Sequence, residues 1–117
     1  MTNRELLELA ALAAGYKYTC TQRLAATAHC VVSSTIIVID GNDWNPLEDD
    51  GDCARLENHL LMYIEHFDDH VECMDYDRND CAVELYEDHG NDKNRARRFA
   101  SVSVAAEIGR GMKEGKV

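Results

Sequence analysis

Proline is nearly missing from this sequence: Pro46 is the only one in 117 residues. There is no Gly/Ser-rich tract either. Together these exclude a disordered linker, and the length fits one domain over residues 1–117. No run of about 18 apolar residues occurs, which argues against a membrane-spanning helix. The start, "MTNRELLELA", is charged early and carries no signal-peptide cleavage pattern. No C-x-x-C pair is present, and the five cysteines (Cys20, Cys30, Cys53, Cys73, Cys81) are odd in number. That disfavours a secreted disulfide scaffold and predicts reduced thiols in a cytosol, most of them acting as small hydrophobes in apolar runs. A glycine-rich phosphate loop is also lacking, because "GRGMKEG" has no strand before it.

Basic residues are almost absent from the middle of the chain. Residues 40–92 hold two (Arg55, Arg78) against eighteen acidic ones, a net of −16. Residues 1–39 carry +1 and residues 93–117 carry +5, which together give the overall −10. A block this acidic repels nucleic acid. It attracts a basic protein surface and speeds association with it by steering.

A capping box from Thr2 to Glu5, followed by Leu6, Leu7, Leu9, Ala10, Ala13 and Ala14, predicts a helix over 3–14 that ends at Gly15. Alternation in "YKYTCTQ" predicts a half-buried strand over 16–22, with Tyr16, Tyr18 and Cys20 on one face. "HCVVSSTIIVID" is rich in β-branched residues and predicts one long strand or two short ones over 29–40, then a turn at Gly41-Asn42. Ala54, Leu56, His59, Leu60, Tyr63, Ile64 and Phe67 recur at three and four and predict a second helix over residues 50–63 or a little longer. "HVECMDY" and "CAVELYE" read as a hairpin around the four-residue loop Asp77-Arg78-Asn79-Asp80. Asn91-Asp92 caps a third helix with the apolar stripe Phe99, Val102, Ala105, Ala106, Gly109 and Met112, and residues 110–117 read as a frayed tail. Arg95, Arg97 and Arg98 crowd its first turns, where the helix dipole prefers acids, so they are expected to answer to the acidic middle of the chain. The order α-β-β-α-β-β-α predicts a small α+β layered sandwich with a mostly antiparallel sheet.

The stretch "DWNPLEDDGD" packs five carboxylates into ten residues and holds the only Trp and the only Pro. Pro46 forces an extended approach at Asn45. Asp49 or Asp50 is expected to cap the second helix, and Asp52 to sit where the helix dipole favours an anion. Trp44 and Leu47 are expected to pin the loop to the core. This piece, with "NRELLELAALAAG" before it and "VAAEIGRGM" after it, resembles the phage ABA sandwich domain family, small proteins of tailed phages and prophages. Trp44-Asn45-Pro46-Leu47 followed by Asp49-Asp50-Gly51-Asp52 carries most of the resemblance, and Ala105 to Arg110 supports it. The resemblance implies a phage-encoded protein acting in the host bacterial cytoplasm, with an α-β-α arrangement. It brings no catalytic or binding residues with it. Residues 57–92 are more acidic and richer in His than the family leads one to expect.

The residues themselves exclude most site chemistry. "DYDRNDCAVELYE" opens like a calcium loop at Asp75, Asp77 and Asn79, but Asp80 stands where glycine is required and Tyr86 where a bidentate Glu is required. His59, His66, His70 and Cys73 lack the close ligand spacing of a zinc site. His29 and Cys30 are adjacent, so on a strand they point to opposite faces and cannot pair. No metal, cofactor or catalytic residue is expected. Lys93, Arg95, Arg97 and Arg98 form the one basic cluster, and the neighbouring acidic block argues against direct nucleic-acid contact. What remains is a recognition surface: Glu65, Asp68, Asp69, Glu72, Asp75, Asp77 and Asp80 spaced like phosphates, with Tyr63, Phe67, Tyr76 or Tyr86 as anchors. The expectation is a phage accessory protein, not an enzyme, that inhibits a host defence complex such as a CRISPR effector or restriction nuclease. Its partner would be a host protein with a basic nucleic-acid-binding surface. The alternative is a homo-oligomeric structural or regulatory phage protein, for instance a homodimer, with no host target. A strand edge or the last helix would mediate that self-association.

Overall fold

The computed structural model describes residues 1–77 and 79–115. Arg78 of the predicted hairpin loop and residues 116–117 of the predicted tail lie outside the described residues. The class is α+β, with three α-helices and two antiparallel three-stranded sheets among the described residues. The order predicted from the sequence lacks two short strands that the structure adds.

Helix α1 (Asn3–Ala13) begins as the capping box requires: the Thr2 hydroxyl accepts the Glu5 N–H at 3.2 Å. At its other end Gly15 takes φ +73°, the Gly15 N–H bonds to the Leu12 carbonyl and the Tyr16 N–H to the Ala11 carbonyl. These two bonds form a Schellman closure. They commit the backbone of Tyr16 to the helix end, so the strand predicted from residue 16 starts only at Thr19. Strands β1 (Thr19–Ala26), β2 (Val31–Ile39) and β3 (Asn42–Trp44) form the first sheet in that order. Asp40 and Gly41 make the β2–β3 turn with φ of 52° and 80°. That is one residue earlier than expected, and it suits a two-residue hairpin loop, for which Asp-Gly is a favoured pair. Tyr16 and Tyr18 are partly buried, but Cys20 and the rest of β1 are exposed.

Helix α2 (Asp50–His59) stops well before the predicted end. Leu61 adopts φ 54°, and the Leu61 and Met62 N–H groups close on the Asn58 and Glu57 carbonyls. This too is a Schellman closure, with leucine where glycine is usual, which is why the sequence does not announce it. Residues 63–67 are therefore not helical. Strands β4 (Tyr63–His66), β5 (His70–Met74) and β6 (Cys81–Leu85) form the second sheet in chain order. The β5–β6 hairpin is as expected, but its strand pairing already ends at Met74↔Cys81. A short 3-10 turn (Tyr86–His89) leads to α3 (Lys93–Lys113), whose N-cap Asp92 accepts the Arg95 N–H at 3.0 Å.

Helix α3 is the centre of the molecule. Val102 and Ala105 join Leu7, Ala10, Ala11, Ile37, Trp44 and Leu56 in one core; Ala96, Ala100 and Val104 join Val71, Cys73 and Tyr86 in the other. Two apolar faces explain why a single predicted stripe describes α3 incompletely. Met112, placed in that stripe, is exposed. The predicted fraying from residue 110 is overturned, since the helix runs to Lys113. Gly109 is not a breaker but a contact point: a Cβ built there would lie 1.9 Å from the Leu9 carbonyl oxygen. Only glycine lets the α1 backbone come this close.

Candidate functional site

Much of the acidic middle is occupied with holding the fold. Asp49 is the α2 N-cap, its carboxylate accepting the Asp52 N–H at 3.0 Å. Asp52 is buried, accepting the Asn45 N–H at 3.0 Å and Arg55 Nη2 at 2.7 Å. Asp50 does not cap. It accepts Arg98 Nη1 at 2.7 Å while Arg98 Nε donates to the Leu47 carbonyl at 2.9 Å. Arg97 lies 3.5 Å from the buried Glu57, which also accepts the Ser101 hydroxyl at 2.6 Å. Arg97 and Arg98 thus answer to carboxylates of the same chain. Trp44 is buried and Leu47 packs beside it, so the loop is pinned as expected. A concavity of about 760 Å³ lies here, lined in part by Tyr16, Asp43, Trp44, Asp52 and Arg55. Its Asp43 and Asp52 already hold Arg23 and Arg55, so it belongs to this framework.

The cysteines divide. Cys53 and Cys73 are buried, and burial pushes their thiols up to about 12 and about 11. They are packing residues held as unreactive thiols. Cys20, Cys30 and Cys81 are exposed, so two of the five, and not most of them, act as small hydrophobes in the core. Two of these three sit on the first hairpin, which extends past the core.

The seven carboxylates singled out from sequence do not form one surface. Asp75 is buried and turned inward, accepting the N–H groups of Asn79 at 2.7 Å and Asp80 at 3.2 Å. It shapes the β5–β6 loop and is not available to a partner. Asp80 is half-buried, and desolvation, then Asp75 and Glu107, push its carboxyl above the usual range. Asp77 and Tyr76 are exposed in the same loop. At the opposite end of β5, Asp68 and Asp69 occupy the β4–β5 loop; Asp69 bonds His70 at 2.6 Å, which holds its carboxyl below the usual range. Glu65 and Glu72 stand directly opposite each other on neighbouring strands. Tyr86 is a correction: it is buried, with its hydroxyl 2.7 Å from His66 Nδ1, and cannot anchor a partner.

Register explains where these side chains go. Ile64, Cys73 and Ala82 are directly paired, as are His66, Val71 and Glu84. Val71 and Cys73 are buried against α3, so this set is the inner face. The small Ala82 lets α3 approach. The other face carries Tyr63, Glu65, His70, Glu72, Met74, Cys81, Val83 and Leu85, and among the described residues no element covers it. Tyr63 is 55% and Val83 51% exposed, and Leu85 and the adjoining Phe67 are exposed as well. Phe67 stacks on His70 with centroids 4.5 Å apart. Val83 and Leu85 were missed from sequence. Their signal was the apolar alternation Cys81, Val83, Leu85, which reads as a core face and is in fact the open one.

Among the described residues no group of three or more His, Cys, Asp or Glu could hold a metal ion. The His59 ring lies tilted against Tyr16, while His66 stacks on Tyr86 and His70 on Phe67, so these histidines diverge. No helix among the described residues is long and apolar enough to cross a membrane. Comparison with known proteins finds no matching family model, curated protein or solved structure.

Proposed function

We propose that the protein is a non-catalytic inhibitor that binds a basic surface of another protein through the open face of the second sheet. The partner is a nucleic-acid-binding complex of host defence, such as a CRISPR effector or a restriction nuclease, whose groove the protein occupies. The resemblance around Trp44 to Asp52 supplies the phage setting of this reading.

One observation carries it: carboxylates and large apolar side chains share an uncovered sheet face. Like charges directly opposite destabilise a strand pair, and Glu65 faces Glu72. A lysine or arginine from a partner relieves that cost by entering between them. Asp68 and Asp69 extend the negative field at one end, and the net charge of −10 steers basic partners inward. Phe67, Val83 and Leu85 supply apolar area that a docked partner removes from water.

The test uses a purified CRISPR effector or restriction nuclease with labelled DNA. The reading expects the protein to displace the DNA stoichiometrically at low salt, and a Glu65→Gln/Glu72→Gln variant to do so at least about tenfold less well, a loss of about 1.4 kcal/mol. Displacement unaffected by that double substitution contradicts this placement of the site.

A further inference from the structure

The first hairpin has the features of a self-association arm, and we infer that two copies of this chain pair along the free edge of β1. Residues 19–34, sixteen in a row, are all exposed. All but Thr19 and Cys20 lie past the end of β3, which pairs only with residues 37–39. A two-stranded ribbon without a third strand or a packed layer is marginally stable in water. This one also exposes Leu24 at 70% and Val31 at 66%, with Val32 exposed beside them.

The β1 edge has none of the usual protections. Its register runs without a bulge from Thr19↔Val38 to Ala26↔Val31. It contains no proline, and its one charge, Arg23, is neutralised by Asp43. Natural edges of this length are normally blunted by charge, proline or a bulge, or are paired. The backbone pattern says which groups are free. The Thr27 N–H bonds to the Cys30 carbonyl, so that pair is hydrogen-bonded. Directly opposed pairs then alternate, and Ala26, Leu24, Gln22 and Cys20 turn their N–H and C=O groups outward.

Charge selects the occupant. A chain of net −10 repels its own copy almost everywhere, yet residues 9–39 contain no acidic residue at all. The ribbon's own residues bring no carboxylate to such a contact, and the two that reach β1 from elsewhere, Asp43 and Glu8, are held by Arg23 and the Cys20 thiol. Antiparallel β1–β1 pairing about a two-fold axis near Gln22 and Arg23 satisfies the outward groups of both strands and joins the two first sheets into one. β1 contributes eight residues a side, fewer than the roughly 20–30 of a standard interface, which suits a weak, concentration-dependent dimer. This contact leaves the outer face of the second sheet free, so it is independent of the proposed inhibitory function.

Sedimentation of the full chain under reducing conditions tests it. The expected result is a concentration-dependent dimer that strengthens as salt screens the net charge. Leu24→Pro removes an outward N–H without touching the internal ladder, and Val31→Lys places a charge on the ribbon. Each raises the dimer dissociation constant at least about tenfold, with circular dichroism unchanged. A wild-type chain that stays monomeric at micromolar concentrations in low and high salt overturns the inference. So does a dimer indifferent to both substitutions, or one lost on Val83→Lys.

Discussion

Two single positions hold unusual backbone arrangements, and they respond to substitution in opposite directions. At Gly109 any side chain meets the Leu9 carbonyl, a backbone atom that cannot rotate away. Gly109→Ala gains about 1 kcal/mol of helix propensity but forces α1 and α3 apart, a strain of about 1–3 kcal/mol or more. The net expectation is a lower denaturation midpoint with an unchanged slope. At Leu61 a β-carbon sits at φ 54°, where L-residues carry a penalty, and the side chain is exposed. Leu61→Gly relieves about 1 kcal/mol and is expected to raise the midpoint in the same denaturant titration. A stabilised Gly109→Ala or a destabilised Leu61→Gly contradicts these assignments.

At the scale of the element, the β5–β6 loop shows how carboxylates can be structural. Asp80 faces Asp75, Glu107 and Arg110, and its carboxyl is raised chiefly by desolvation. A raised folded-state value means that its contribution to stability is complete below the ordinary carboxyl range. That contribution is lost as pH rises through the folded value. Asp80→Asn is therefore expected to raise the thermal midpoint at neutral pH, with the gain shrinking toward acid; a gain that grows in acid contradicts the sign. The same element shows what the sequence reveals and what it conceals. The hairpin and the caps Thr2, Asp49 and Asp92 are local signals, and they were legible. The end of α2 was not, because Leu61 fills a position that glycine would have marked. Nor was the inward turn of Asp75, since a loop carboxylate looks the same whether it meets water or backbone N–H groups. The open face was concealed for a tertiary reason: α3 selects the small Ala82 side of β6 and leaves Val83 and Leu85 outside.

The whole molecule measures 45 × 35 × 23 Å, with a radius of gyration of 14.9 Å, above the value of about 13 Å for a compact domain of this length. The excess fits a first hairpin that extends from the core. The molecule thus presents two exposed regions of opposite character: an acid-free ribbon and an acidic, apolar sheet face. The central claim is that the second of these, and not the acidic chain as a whole, recognises a partner. The most direct test compares two single substitutions in the DNA-displacement assay with a purified host nuclease. Val83→Lys alters the sheet face, whereas Asp77→Asn removes one carboxylate from the loop at the other end of β5. The account predicts that Val83→Lys weakens displacement at least about tenfold and that Asp77→Asn leaves it within about twofold. Equal losses from both, or a loss from Asp77→Asn alone, contradict it.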